Sequence, residues 1–296
     1  MVTGGNGFLG RHLTTSLRDD FSVVSVDIKK PQATSGSYDE CDVSKYDDVS
    51  SCLLEHRPNA VVHLAAITGI ERCRQSPYES FLVNVVGTFN VAWLCATNGI
   101  RLLFASSREV YGETRGGETD ESSELRPNNL YGQTKLLAES HIEWMGNRMH
   151  LRYVILRFTN LYGPGGDAYA VAKIIKNAIK GERLHVFGGD QTLNLIHVAD
   201  AARALKVCLT RSDITNETFN IGSKDTISVK ELVHRIARIS RSNSKEIHSP
   251  MRTGDTLLFR PNLAKASSKL GFESSIALDD GLSECIEYYR THDREP

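Results

Sequence analysis

Short apolar runs alternate along the chain with stretches whose apolar positions repeat at helical spacing. Ser22–Val26, Ala60–Leu64, Leu102–Ser106, Tyr153–Phe158 and Phe219–Ile221 are rich in Val, Ile and Leu and lack in-out alternation. That is the pattern of strands buried on both faces of a sheet. Gly7–Arg18, Val49–His56, Pro77–Asn98, Tyr131–Asn147, Ala168–Lys180, Ala199–Thr210 and Val229–Ser240 predict helices between them. Strands alternating with helices predict βαβ units and an α/β fold, a doubly wound parallel sheet with helices on both faces. The alternation weakens after residue 160. Asn160–Gly166, NLYGPGG, predicts a loop from its Gly and Pro. Gly181–Asp190 and Asn243–Asn262 look irregular.

Composition narrows the function classes. The 296 residues are 40% hydrophobic and 24% charged, as in an ordinary globular protein and unlike a disordered chain or a fibre. The 35 basic and 36 acidic side chains nearly cancel, to a formal net charge of -1. No basic surplus is available for a phosphate backbone, so nucleic acid is not an expected partner. No apolar run reaches the roughly 18 residues of a spanning helix, so no membrane is expected. No charged and then apolar leader opens the chain, which points to a cytoplasmic location. Six cysteines, at 41, 52, 73, 95, 208 and 285, lie far apart without metal-ligand spacing. They read as buried or half-buried thiols, and no metal site is expected.

Candidate chemistry begins at the N-terminus. Residues 3–10 read TGGNGFLG, with Gly4, Gly7 and Gly10 in T-G-x-x-G-x-x-G spacing. Glycines permit a tight turn that a pyrophosphate can approach, and the following helix offers free N–H groups to the anion. Asp27 closes the next strand, about 20 residues on, where a carboxylate suits the two ribose hydroxyls of an adenosine. The same charge would repel a 2′-phosphate and so favours NAD over NADP, although Lys29 and Lys30 follow closely. Only Met1 and Val2 precede Thr3, so either the first strand is short or the natural start lies upstream. The pattern predicts a Rossmann domain over residues 1–160 with a return segment at 197–222, and a substrate-binding cap over 161–296.

Two further groups carry chemistry. Tyr131-Gly-Gln-Thr-Lys135 places a phenol and an ammonium four apart at the head of a helix, on one face. A neighbouring cation favours the phenolate and makes Tyr131 a usable base. Phe104–Gly112, FASSREVYG, lies at the carboxyl end of a strand, the edge at which ligands collect. Ser107 there can donate to or accept from a substrate hydroxyl.

Together with Asp42-Val43, His63-Leu-Ala-Ala66, Asn84, Arg157–Gly163 and Phe219-Asn-Ile-Gly222, these motifs stand in an order and spacing that resembles the extended short-chain dehydrogenase/reductases. Within them the chain is similar to the NAD-dependent nucleotide-sugar epimerase/dehydratase group typified by UDP-glucose 4-epimerase. The resemblance covers nearly the whole chain and implies NAD as cofactor and a nucleotide sugar as substrate. It implies that Gly4, Gly7, Phe8 and Leu9 line the pyrophosphate turn, and that Asp27 holds the adenosine ribose. Asp42 and Val43 would meet the adenine, Leu64, Ala65 and Ala66 would lie along the cofactor with Asn84 near it, and Phe158 would approach the nicotinamide. Ser107, Tyr131 and Lys135 would be the catalytic set, with Tyr131 and Lys135 also touching the cofactor. Asn160 and Arg252 would contact the substrate diphosphate, as Ser107 would contact the sugar. Relatives of this kind commonly dimerise through two helices per subunit, here Val83–Cys95 and Leu136–Met145, which implies a homodimer.

The sequence departs from that group twice. Leu193 stands where an arginine usually grips the diphosphate, and Lys173 is a candidate substitute. Arg108-Glu109 stands where the 4,6-dehydratases place Asp-Glu. An arginine is a poor proton donor, whereas Glu109 remains available as a base. The expected activity is nucleotide-sugar 4-epimerisation by transient hydride transfer from C4 to NAD. The alternatives are 4,6-dehydration or UDP-glucuronate decarboxylation using Glu109, or a non-catalytic NAD-binding sensor.

Overall fold

The computed structural model describes residues 1–31, 36–114 and 117–292. The first half runs β1 (Val2–Thr3), α1 (Phe8–Leu17), β2 (Val24–Asp27), β3 (Ser37–Glu40), α2 (Tyr46–His56), β4 (Ala60–His63), α3 (Ile70–Gln75), α4 (Pro77–Phe81), a π-helical stretch (Leu82–Gly87), α5 (Thr88–Thr97), β5 (Arg101–Ser107), β6 (Glu118–Thr119) and α6 (Leu130–Met149). The second runs β7 (Tyr153–Phe158), β8 (Asn160–Tyr162), α7 (Ala170–Lys180), β9 (Leu184–Phe187), β10 (Thr192–His197), α8 (Val198–Thr210), β11 (Glu217–Ile221), β12 (Thr226–Ser228), α9 (Val229–Ser240), β13 (Glu246–Ser249), β14 (Arg260–Pro261) and α10 (Leu278–His292).

Seven strands form one parallel sheet in the order β11-β7-β5-β4-β1-β2-β3. From β1 the chain builds outward first on one side and then, from β4, on the other. The crevice at the carboxyl ends of β1 and β4 is therefore the topological switch point, where such sheets bind ligands. Alternate residues of the central strands feed two cores. Leu103, Val154 and Leu156 pack with α1 and α8 on one face, and Leu102, Phe104 and Ile155 with α2, α5 and α6 on the other. Burial on both faces explains the continuous apolar runs. His63 locks the switch point, its ring nitrogens 2.6 Å from Thr3 Oγ1 and 3.0 Å from Thr88 Oγ1. Burial pushes its pKa down to about 3, so it serves as a neutral brace.

The five predicted strands and seven predicted helices are present with small shifts at their ends. The first strand spans only Val2–Thr3, and both residues pair with β2 and β4. Four expectations need correction. Asn160–Gly166 is not all loop, because Asn160–Tyr162 pairs with Leu195–His197 of β10. Within the segments expected to be irregular, Leu184–Phe187 and Glu246–Ser249 pair in parallel. β3 and α10 fall outside the predicted elements. The helix over Pro77–Thr97, 21 residues, is long and apolar enough to cross a membrane, contrary to the sequence expectation. More than half of it is buried, and it packs along α6 and α2 as a core helix does.

Beyond β8 a third core gathers Tyr162, Ile175 of α7, Leu232 and Ile236 of α9, and Leu282 and Ile286 of α10. α8 and β11, from the expected return segment, belong to the large sheet and its cover. Ala266, Leu270 and Phe272, from inside the span assigned to the cap, pack back on that same core.

Candidate active site

The turn after β1 places the first set of residues. Gly4 has φ +66°, and a Cβ there would stand 2.6 Å from the backbone nitrogen of Ala65. A side chain is excluded, so the turn lies directly against Leu64–Ala65. Gly7 precedes α1 without a capping side chain, which leaves first-turn N–H groups free. Phe8 is half-buried, its ring 5.1 Å from that of Tyr169. Leu9 turns its side chain into the core and keeps its backbone at the turn. Asp27 accepts the backbone N–H of Asn6 and of Lys29, each at 3.0 Å, which fixes its carboxylate beside the turn.

The walls follow from β3, β4 and the π stretch. Asp42 accepts from the N–H and Oγ of Ser44, at 3.0 and 2.7 Å, and Val43 is buried. Ala65 and Ala66 are half-buried in the segment after β4. Asn84 accepts the Ile67 N–H at 2.8 Å and donates to the Ile67 carbonyl and Thr134 Oγ1, at 2.9 and 3.0 Å. Its amide thus ties this segment to α6. It sits in π-helical backbone, a local distortion common at functional sites.

Ser107, Tyr131 and Lys135 come together where β5 meets the start of α6. Asn129 caps α6 by accepting the Gly132 N–H at 2.9 Å. Gly132 lets the helix approach, since a Cβ there would stand 2.3 Å from the Glu109 carbonyl oxygen. Ser107 accepts the Glu109 N–H at 3.2 Å, and its hydroxyl stands near enough to the Tyr131 phenol to favour the phenolate. Lys135 is buried, donates to the Ala105 carbonyl at 2.8 Å and lies 4.6 Å over the Phe104 ring. Register pairs Ser107 with Phe158, which is buried at the end of β7.

The electrostatics differ from the simple expectation of a lysine-lowered phenol. Burial pushes the Tyr131 pKa well above its usual value, Tyr169, Cys73 and Glu109 add to this, and only the Ser107 hydrogen bond pulls it back. Burial also lowers Lys135 to about 8, against the pull of Cys73 and Glu139. The phenol is thus held neutral beside the Ser107 hydroxyl, one helical turn from a lysine whose pKa is lowered to about 8.

Further groups line the approach. Arg108 and Glu109 form a buried ion pair at 2.8 Å, and Asn129 Nδ2 donates to the second Glu109 oxygen at 2.7 Å. Asn129 also donates to the Gly254 carbonyl at 3.2 Å, which ties the 252–255 turn to this corner. Arg252 is exposed with its guanidinium 3.9 Å over the Phe187 ring, and its charge acts on Asp255. Asn160 is half-buried opposite Leu195, whereas Leu193 faces Ile227 across the β10–β12 ladder and Lys173 is exposed on α7.

Sequence reasoning missed a supporting chain of side chains. Glu139, one turn beyond Lys135, accepts from Ser106 Oγ and from Arg157, whose Nη2 lies 2.7 Å away. Arg157 also donates to the Tyr111 hydroxyl at 2.9 Å, and that hydroxyl donates to Asn220 at 2.7 Å. The chain joins the ends of β5, β7 and β11 to α6 below Ser107, Tyr131 and Lys135. The i, i+4 spacing of Lys135 and Glu139 was the available signal. Asn129 was legible as a cap residue just before the helix.

Comparison with known proteins places this geometry. Residues 1–222 match the NAD dependent epimerase/dehydratase family. A UDP-glucose 4-epimerase of Mycolicibacterium smegmatis is 28% identical over 308 residues, covering 98% of each chain. A UDP-N-acetyl-alpha-D-glucosaminuronate decarboxylase of Bacillus cytotoxicus is 28% identical over 317 residues, covering 98% of this chain and 97% of its own. MoeE5, solved in complex with NAD and either UDP-glucose or UDP-glucuronic acid, is 32% identical with a TM-score of 0.91, covering 98% of each chain. The glycine turn pressed on Ala65, the uncapped start of α1 and the fixed Asp27 carboxylate fit a dinucleotide. The chain belongs to the NAD-dependent epimerase/dehydratase family of enzymes.

Proposed function

We propose that the protein inverts the configuration at C4 of a nucleotide sugar. NAD, when bound, supplies the acceptor that takes a hydride from the sugar and returns it, and a positive ring whose field favours the phenolate. Tyr131 accepts the O4 proton as C4 is oxidised and gives it back when the opposite face is reduced. Ser107, next to the phenol, positions the O4 hydroxyl. Lys135, anchored on Ala105, holds its charge close to that proton. Asn160 and Arg252 steady the diphosphate while the 4-keto sugar turns over.

The observation that supports epimerisation over elimination is the state of Arg108 and Glu109. Both Glu109 oxygens are engaged, one by Arg108 and one by Asn129. Arg108 offers no acid proton for a departing hydroxyl. Loss of carbon dioxide from a uronate is the second reading, favoured by the closeness of Glu109 to Tyr131. The NAD-loaded protein, incubated with UDP-hexoses and UDP-hexuronates, is expected to give C4-inverted product of unchanged mass without net NADH. A product lighter by water or carbon dioxide would refute the proposal. Tyr131→Phe should lower kcat by roughly 100- to 10,000-fold, the usual contribution of a positioned acid-base group, with an unaltered melting temperature.

A further inference from the structure

Arg108 directly follows Ser107, and its guanidinium is buried. Its Nη2 is paired with Glu109, and its Cζ lies 5.3 Å from the centre of the Phe259 ring. Its Nη1 is buried without a hydrogen-bond partner among the described residues. Leaving donors of a buried cation unmatched is costly, and folded proteins seldom do it without a reason. The corner in which this happens is defined by charge. Glu109 acts on the Tyr131 phenol, and Arg108 and Glu109 both act on Asp255, next to the 252–255 turn that carries Arg252. The pair therefore stands near both the phenol and the 252–255 turn.

We infer that Arg108 is a specificity residue that reads a carboxylate at C6 of the sugar, so that the substrate class is a nucleotide hexuronate. This rests on the C4 chemistry proposed above. If Tyr131 and Ser107 meet O4, the substituent on C5 projects toward the residue after Ser107. A guanidinium with one nitrogen committed and another vacant can bridge two carboxylates, Glu109 and the sugar's. The Phe259 ring shields it from water on one side, which strengthens such a contact. An ion pair also stabilises the localised carboxylate charge, which loss of carbon dioxide from the 4-keto intermediate would move into the enolate, and so it opposes that loss. Arg108 thus favours inversion with the carboxylate retained.

The test measures kcat/KM and dissociation constants of the NAD-loaded protein for UDP-glucuronate and UDP-glucose, with product mass recorded. Wild type is expected to prefer UDP-glucuronate. Arg108→Gln should lower kcat/KM for UDP-glucuronate by roughly 10- to 100-fold more than it lowers kcat/KM for UDP-glucose, the worth of a charged hydrogen bond. Arg108→Lys should fall between, and carries the test if the glutamine variant does not retain NAD. Equal handling of both sugars by wild type, or an equal loss on both in the variants, overturns the inference. C4 inversion of UDP-glucose with rejection of UDP-glucuronate overturns it while leaving the epimerase proposal standing. Arg108-dependent binding of UDP-glucuronate with release of carbon dioxide supports the carboxylate contact and overturns the epimerase proposal instead.

Discussion

At the scale of single residues the site is governed by burial. Lys135 is enclosed under the cofactor crevice, and its pKa falls from 10.5 to about 8 chiefly for that reason. Below pH 8 the ammonium is charged in folded and unfolded chains alike, and the full cost of enclosing it is present. Between pH 8 and 10.5 the folded lysine gives up its proton while the unfolded one keeps it, so stability rises with pH through that window. A tenfold difference in proton affinity between the two states corresponds to about 1.4 kcal/mol. NAD-free wild type should therefore gain stability relative to Lys135→Met between pH 8 and 10.5, as urea melts across that range would show. A constant difference would mean that the lysine is solvated. The type and spacing of Tyr131 and Lys135 were legible in the sequence, but their electrostatics were not. Spacing alone suggested that the ammonium lowers the phenol, whereas burial dominates, and Tyr169, Cys73 and Glu109, remote in sequence, add to it.

At the scale of elements, the position of α6 against the strand ends is held by side chains that are dry. The Glu139–Arg157 pair is 1% and 3% exposed at its side chains, and Ser106 and Tyr111 complete its hydrogen bonds. Breaking a buried pair from one side leaves an uncompensated charge, at a cost of about 3–5 kcal/mol. Glu139→Leu should show that loss in denaturant melts, and the double variant Glu139→Leu with Arg157→Met should recover much of it. If the single variant loses less than about 1 kcal/mol, the pair is solvated and does not brace the helix. Sequence periodicity found α6 and its neighbours because their apolar stripes face one sheet. It missed β3, whose Ser37-Tyr-Asp-Glu40 is a half-exposed edge strand without an apolar run. It missed the β9–β13 pairing because register between distant segments has no local signature. α10 opens with Asp279 and Asp280, and its apolar stripe is sparse. It packs against α7 and α9.

At the scale of the molecule, one surface remains to be accounted for. Trp144 is 52% exposed on α6, and Phe89 and Trp93, stacked at 5.8 Å, are half-buried on α5. We propose that these two helices, over Val83–Cys95 and Leu136–Met145, meet their counterparts in a second copy. Gel filtration with light scattering should give twice the chain mass, and Trp144→Glu should shift the population to monomer. A monomeric wild type at all concentrations would contradict this.

The corner at the end of β5 joins α6 and the turn at 252–255 through Asn129 and Glu109, so these elements form one assembly. In the proposed reaction C4 is oxidised and reduced again within that assembly. The most direct measurement follows deuterium placed at C4 of the UDP-sugar through turnover by the NAD-loaded protein in ordinary water. Retention of the label at C4 of the inverted product is the predicted result. Its replacement by solvent hydrogen would contradict the account.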